Sequence, residues 1–95
     1  EGIHSALFHE GMSLLERVAD LLAGAGWGIA NVDVVVVAQE PKIAPHADRM
    51  ARRLAAAMGV EPSRVNVKGK TSEGFGFTGR GEGIAALAAA LIGRL

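Results

Sequence analysis

The residues that could do chemistry are concentrated in one glycine-rich stretch, residues 71–83. Five of its thirteen residues are glycine, and Thr71 and Ser72 carry hydroxyls directly ahead of Glu73. Glycine lets the backbone turn through positive φ and lets a ligand approach main-chain amides, which are good donors to phosphate oxygens. The stretch therefore predicts a phosphate-binding loop. A glycine-rich turn with solvated charges is the alternative, because short glycine motifs often occur by chance.

Other segments make the pattern more specific. Residues 31–34 read NVDV, residues 38–46 read AQEPKIAPH, residues 65–70 read VNVKGK, and residues 76–83 read GFTGRGEG. In this order and at these separations they resemble the 2-C-methyl-D-erythritol 2,4-cyclodiphosphate synthase family of the non-mevalonate isoprenoid pathway. The resemblance runs from about residue 13 to residue 95 and corresponds to the C-terminal part of the family, with residues 1–12 unmatched.

The resemblance implies a lyase of isoprenoid biosynthesis. Such an enzyme converts 4-diphosphocytidyl-methylerythritol 2-phosphate to methylerythritol 2,4-cyclodiphosphate and releases CMP. The family binds zinc through an Asp-x-His and a further His near its N-terminus, and no segment of this chain matches those ligands. Two interpretations stand: an enzyme of this type, or a catalytically incomplete fragment or interaction module that retains cytidine-phosphate binding and trimerisation.

The resemblance also assigns residues to the site. The segment expected to hold the cytidine and its phosphates consists of Ala38, Gln39, Glu40, Pro41, Lys42, Ile43 and Ala44. Thr71 corresponds to the family threonine that contacts the reacting phosphate, where a hydroxyl can donate to an oxygen that gains charge. Glu73 corresponds to the carboxylate that helps hold magnesium or manganese, ions that prefer oxygen ligands.

Further residues of the loop are included in the expected binding site. Ser72 adjoins the catalytic threonine, and Lys70 stands where a threonine is more common, which places a cation near the phosphate. Phe77, Arg80 and Glu82 correspond to residues that line a cavity on the trimer axis, where an isoprenoid-type diphosphate is expected. An Arg–Glu pair stabilising a subunit interface is the alternative for the last two.

The histidines and one aspartate receive structural interpretations. His4 and His9 are five residues apart and lie on different helix faces, so they predict no metal site by themselves. His46 follows Pro45 at a predicted helix start, where a neutral imidazole could donate to a loop carbonyl. Asp33 precedes a predicted strand and is expected to fix a turn.

Composition limits the class of protein. Ninety-five residues indicate one domain, and ten basic against ten acidic residues provide no net charge to attract nucleic acid. The absence of cysteine agrees with a cytoplasmic protein. No apolar run approaches the roughly 20 residues that a membrane span needs, and no signal peptide is evident. The small, alanine-rich core that the composition predicts favours oligomerisation.

Periodicity predicts the elements that position the loop. Apolar spacing indicates helices over residues 13–25, 45–58 and 84–92, with Ser13 as the first cap and Gly59 beyond the second. Residues 34–38 predict a central strand buried on both faces, and residues 65–70 a second strand with one buried face. Three arginines on the second helix, Arg49, Arg52 and Arg53, indicate a solvated face. The expected fold is α/β, an α+β sandwich with a mixed sheet covered by helices, and the resemblance implies a cyclodiphosphate synthase/chorismate mutase-like homotrimer.

Overall fold

The chain folds into a small α+β unit. The computed structural model describes the backbone of residues 2–40, 42–74 and 76–95, and the side chains of these residues from Gly11 onward. The helices are α1 (Gly2–Gly24), α2 (Ala47–Met58) and the short α3 (Gly76–Gly79), and the strands are β1 (Trp27–Val37), β2 (Val65–Lys70) and β3 (Ala85–Arg94). Single 3-10 turns at Ala44–His46 and Pro62–Arg64 precede α2 and β2.

The three strands form one mixed sheet in the order β2-β1-β3. β1 pairs in parallel with β2, from Val32 opposite Val65 to Val37 opposite Lys70. β1 pairs antiparallel with β3 along its other edge, with an irregularity between Ile29 and Asn31. The expected mixed sheet is therefore confirmed, and β1 is its central strand. The parallel pairing has a functional consequence, because it brings the carboxyl ends of β1 and β2 to the same edge.

The core lies between α2 and one face of β1 and β2. Its buried residues are small or β-branched and comprise Val32, Val36, Ala51, Ala55, Val65 and Val67, with Met50, Leu54 and Met58 packed around them. The larger apolar residues of α2, Met50, Leu54 and Met58, recur at the spacing expected of a buried helix face, yet they are only half-buried. The alanines between them make the closest approach, because a methyl side chain lets the helix backbone lie near the sheet.

Ala55 provides a direct test of this packing. Its side chain is 0% exposed, whereas Ala56 on the same helix is exposed. Replacing Ala55 by Leu is expected to lower the free energy of unfolding by about 1–3 kcal/mol, because extra methylenes in a packed core force side chains and backbone to shift. Ala56→Leu is the matched control and is expected to change stability by less than about 0.5 kcal/mol. Urea unfolding measures both, and equal stabilities of the two variants would contradict this core.

The helix ends agree with the glycine pattern, but the first helix begins earlier than predicted. α2 ends at Gly59, which adopts a φ of 69° and closes the helix with its own N–H. α1 ends at Gly24 as expected, while its N-terminal end lies at Gly2. Ser13 is therefore inside the helix, and its predicted role as an N-terminal cap is wrong.

The predicted third helix is wrong, since residues 85–94 form a strand. Alanine and leucine are strong helix formers and gave this segment its helical periodicity. The second edge of β1, however, presents backbone N–H and C=O groups that need partners, and β3 satisfies them from Trp27 to Val37. Tertiary pairing has overridden local propensity.

Much apolar surface is left uncovered. On the face of the sheet away from α2, Leu87 is 69% exposed and Leu91 is 65% exposed. The expectation that the central strand is buried on both faces is thus wrong for this chain in isolation: helix α2 covers one face, and no described helix lies over these leucines. The apolar face of α1 is also only partly buried, because Leu14 and Val18 remain exposed.

None of the helices in the described part of the chain is long and apolar enough to cross a membrane.

Candidate functional site

The two segments singled out in the sequence meet at the edge where β1 and β2 end. They line a cleft of about 150 Å³ whose walls are Ala38, Lys42, Ile43, Ala44, Gly69, Lys70 and Thr71. The buried Ala38 fixes the junction, since its N–H donates to the Lys70 carbonyl across 2.9 Å. Parallel pairing thus places one cleft between stretches that are about thirty residues apart in the sequence.

Gly69 sets the width of this cleft. A Cβ at this position would lie 2.5 Å from Ile43 Cβ and 3.4 Å from the Ala44 nitrogen. A residue with a side chain would therefore have to push the 43–44 segment away from β2. Because Gly69 has no side chain, the backbone of residues 43–44 can lie close to β2, the strand that leads into Thr71.

The remainder of the 38–44 segment is partly accessible. Gln39 is half-buried, and among the described residues no donor lies within hydrogen-bond distance of its buried amide oxygen, Oε1. Glu40 and Lys42 are exposed. Pro41, which was also expected in the site, lies outside the described residues. Because a buried acceptor without a donor is costly, Gln39 is a group that a ligand donor would stabilise.

The catalytic candidate, Thr71, has a defined hydrogen-bond arrangement. Its Oγ1 accepts a hydrogen bond of 3.1 Å from the Glu73 backbone N–H. The hydroxyl therefore keeps its own hydrogen for donation to another group. Glu73 adopts a φ of 56°, which is uncommon for a residue with a side chain and occurs preferentially at functional sites. Both residues are exposed.

Ser72 is engaged inside the loop. Its hydroxyl lies 3.0 Å from the hydroxyl of Thr78, which is only 6% exposed. The sequence alone predicts no role for Thr78. The one available signal was its position inside GFTGRGEG, where glycines on either side permit close packing.

Arg80 and Glu82 form an ion pair within the chain. The shortest nitrogen–oxygen distance is 2.9 Å, with Nε of Arg80 also donating to both carboxylate oxygens at 3.0 and 3.1 Å. Both side chains are more than half exposed, so this pair contributes little to stability. Phe77 is exposed, and its ring lies close to Gly83, where a Cβ would be 2.9 Å from it.

The structural interpretations of Asp33 and His46 are revised. Asp33 lies within β1, and its carboxylate accepts from Asn66 Nδ2 across the strand pair, so the predicted turn role is wrong. His46 Nδ1 accepts from the guanidinium of Arg49, a structural role with a partner on α2 that the sequence did not predict. Arg49, Arg52 and Arg53 are exposed, in agreement with the predicted solvated helix face.

A metal site is not preassembled in the described part of the chain, where no three His, Asp or Glu side chains converge. The side chains of His4 and His9 lie outside the described residues. Glu73 could provide one oxygen ligand to magnesium or manganese, with phosphate and water supplying the others. The described residues do not fit the tetrahedral set of three or four ligands that zinc requires.

Sequence relatives match most of this chain and about half of their own length. A synthase named 2-C-methyl-D-erythritol 2,4-cyclodiphosphate synthase, from Dehalococcoides mccartyi strain CBDB1, is 56% identical over 81 residues, which is 85% of this chain and 52% of the relative. The chain thus spans about half the length of the curated relatives it matches.

Solved structures show the same fold. The synthase of that name from Plasmodium vivax superposes with a TM-score of 0.85 at 38% identity, over 88% of this chain and 56% of its own. IspF from Plasmodium falciparum, solved as a CDP complex, superposes with a TM-score of 0.80 at 28% identity, over 92% of this chain and 56% of its own. The YgbB family model matches residues 7–93. The chain belongs to the YgbB family.

Proposed function

We propose that this chain provides the cytidine-nucleotide and phosphate-binding part of a 2-C-methyl-D-erythritol 2,4-cyclodiphosphate synthase. The observation that carries the proposal is the cleft in which Ala38 and Lys42–Ala44 face Lys70 and Thr71. The P. falciparum relative binds CDP, which has the cytidine and two phosphates that such a cleft would take. The proposed reaction is the attack of a 2-phosphate oxygen on the β-phosphorus, with cleavage of its bond to the bridging oxygen and release of CMP.

Charge is the main obstacle to this reaction, because an anionic phosphate must approach another anion. Lys42 and Lys70 place two ammonium groups at the cleft. We assign them to the phosphate oxygens, where they lower the repulsion between nucleophile and electrophile. Gln39 adjoins the cleft residue Ala38 and is kept with the segment that we assign to the cytidine.

Thr71 is assigned to stabilisation of the transition state. Because its oxygen already accepts from the Glu73 N–H, its hydroxyl hydrogen can point to a phosphate oxygen that gains negative charge. Glu73 is assigned as a ligand of magnesium or manganese. When bound, such an ion would neutralise phosphate charge and orient the two phosphates. No step is assigned to zinc, since the described residues do not fit it.

We further propose a cytoplasmic homotrimer that buries the leucine-rich face of β3. The exposure of Leu87 and Leu91 supports an assembly of this kind, as contiguous exposed apolar residues mark interaction surfaces. Phe77 and Arg80 would then lie near the axis. An isoprenoid-type diphosphate binding there would have to compete with Glu82 for the Arg80 guanidinium.

The alternative is an interaction module that keeps the scaffold without catalysis. The exposed apolar faces of β3 and α1 favour it as a second candidate. An enzyme and an inactive module with an intact cleft would both bind CDP, whereas a module that has also lost the site would not. If CDP binds, turnover of the substrate distinguishes the enzyme from the inactive module.

A lysine pair tests the cleft. Lys42→Ala is expected to weaken CDP binding about tenfold, because a hydrogen bond to a charged group is worth about 1.5–3 kcal/mol. Lys68→Ala is the matched control: it removes the same charge from an exposed position on β2, outside the cleft, and is expected to leave affinity unchanged. Isothermal titration with CDP and magnesium measures both. Equal weakening by the two variants would indicate a net-charge effect and contradict the assignment of Lys42.

A further inference from the structure

We infer that Thr78 is a positioning residue of this site, holding Thr71 and Glu73 in their working geometry through Ser72. The inference rests on the proposed function for what Thr71 and Glu73 do, and adds a residue that touches neither substrate nor metal. It starts from an unusual combination: Thr78 is a polar residue that is 6% exposed, in a loop whose neighbouring residues are mostly exposed.

The hydroxyl of Thr78 lies 3.0 Å from that of Ser72, the residue between the catalytic threonine and the metal-ligand candidate. A hydrogen bond at this point fixes the middle of the Thr71–Glu73 segment. With Ser72 fixed, Thr71 and Glu73 on either side of it are held in the conformation in which the Glu73 N–H donates to Thr71 Oγ1. Either hydroxyl can act as the donor, because each carries one hydrogen and two lone pairs.

Backbone packing closes the loop beside this pair. A Cβ at Gly79 would overlap the main chain of Gly74, so the two glycines lie in direct contact. The Gly81 N–H donates to the Thr78 carbonyl, and the Glu82 N–H donates to the Phe77 carbonyl, at 3.1 and 2.9 Å. These backbone contacts fix the segment that contains Thr78 without any help from Ser72. The Thr78 hydroxyl can therefore restrain Ser72.

The site needs such a restraint because Glu73 has a φ of 56°. A residue with a side chain keeps this conformation when surrounding contacts over-determine it. Thr71 and Glu73 are both exposed, so buried packing of their own side chains does not provide those contacts. The part-buried Ser72–Thr78 pair is a side-chain contact that links the segment to the rest of the loop.

The test compares Thr78→Val, which keeps the shape and removes the hydroxyl, with Thr78→Ser, which keeps the hydroxyl. The first readout is the backbone order parameter of the Glu73 amide in the unliganded chain. In Thr78→Val it is expected to fall from about 0.85 to below about 0.6, the values of rigid and flexible backbone. Thr78→Ser is expected to keep the higher value. Ser63→Ala, at an exposed serine before β2, is the surface control.

The second readout separates positioning from general stability. Thr78→Val is expected to reduce the magnesium-dependent gain in CDP affinity about tenfold, in line with the loss of one hydrogen bond. CDP affinity without magnesium is expected to fall less than the magnesium-dependent gain, since Thr71 is the one cleft-lining residue that Thr78 is inferred to hold, and the metal-ligand candidate Glu73 acts with magnesium present. A fall in the Glu73 order parameter in a protein that binds no CDP at all would support the positioning role while rejecting the proposed function.

Three results would overturn the inference. The first is a Glu73 order parameter and a magnesium-dependent gain in CDP affinity that are unchanged in Thr78→Val. The second is an equal loss of both in Thr78→Ser and Thr78→Val. The third is a fall in order parameters that extends equally through β1 and β2. If Thr78→Val does not fold, Ser72→Ala removes the other hydroxyl of the pair. A lower Glu73 order parameter in Ser72→Ala supports the role of Thr78, and an unchanged one contradicts it.

Discussion

Supplied with the cytidine-linked diphosphate substrate, magnesium and zinc, the 95-residue chain by itself is expected to release CMP at least about a thousandfold more slowly than the synthase from D. mccartyi. The family resemblance implies zinc ligands in a segment that this chain does not match. The described side chains also offer no group of three His, Asp or Glu. Loss of a metal that stabilises developing charge costs several kcal/mol of barrier, and each 1.36 kcal/mol is about a tenfold change in rate.

The assay follows CMP release, with CDP binding and urea unfolding measured on the same sample to show that the chain is folded. Binding is expected to outlast catalysis, because the cleft is complete without a zinc site. Rapid turnover that is abolished by chelator and by Thr71→Ala, but retained in Thr71→Ser, would contradict this prediction. It would show that residues of this chain supply the metal ligands. His4 and His9 would then be the first candidates to test by substitution.

The second large effect concerns assembly. At micromolar concentration the chain is expected to be a trimer, and the double substitution of Leu87 and Leu91 by Asp is expected to convert it to a monomer. These leucines are 69% and 65% exposed, and burial of each is worth about 1.5–3 kcal/mol per subunit. Placing carboxylates at both positions also imposes a desolvation cost on any contact between copies.

Light scattering coupled to size-exclusion chromatography measures the mass. Ser63→Asp adds a negative charge at an exposed position outside the sheet and is the control, which is expected to remain trimeric. A monomeric wild-type chain would reject the homotrimer, and a double-aspartate variant that stays trimeric would place the interface elsewhere.

The parts of the fold that the sequence predicts well are those where local pattern and packing agree. The β-branched run at 34–37 became part of the central strand, and Gly59 ended α2 in the left-handed conformation that glycine allows. The segment after Gly83 shows the opposite case. Its alanines favour a helix, but it forms a strand because the edge of β1 needs backbone hydrogen-bond partners. That edge is far away in the sequence.

The site shows a similar division. The resemblance identified both walls of the cleft, and the parallel register of β1 and β2 explains why they meet. Sequence reasoning did not find the buried hydroxyl of Thr78 or the close approach at Gly69, because both depend on contacts between segments. Asp33 was misassigned for a related reason: its partner, Asn66, lies on another strand.

Backbone amide resonances followed during titration with CDP and magnesium show directly whether the chain binds a cytidine diphosphate in the cleft between the ends of β1 and β2. Saturable shifts are expected, and they should be largest at Ala38, Lys42, Ile43, Ala44, Gly69, Lys70 and Thr71. Shifts that cluster at the opposite end of the sheet, around Trp27 and Arg64, or no shifts at millimolar CDP, would contradict binding in this cleft.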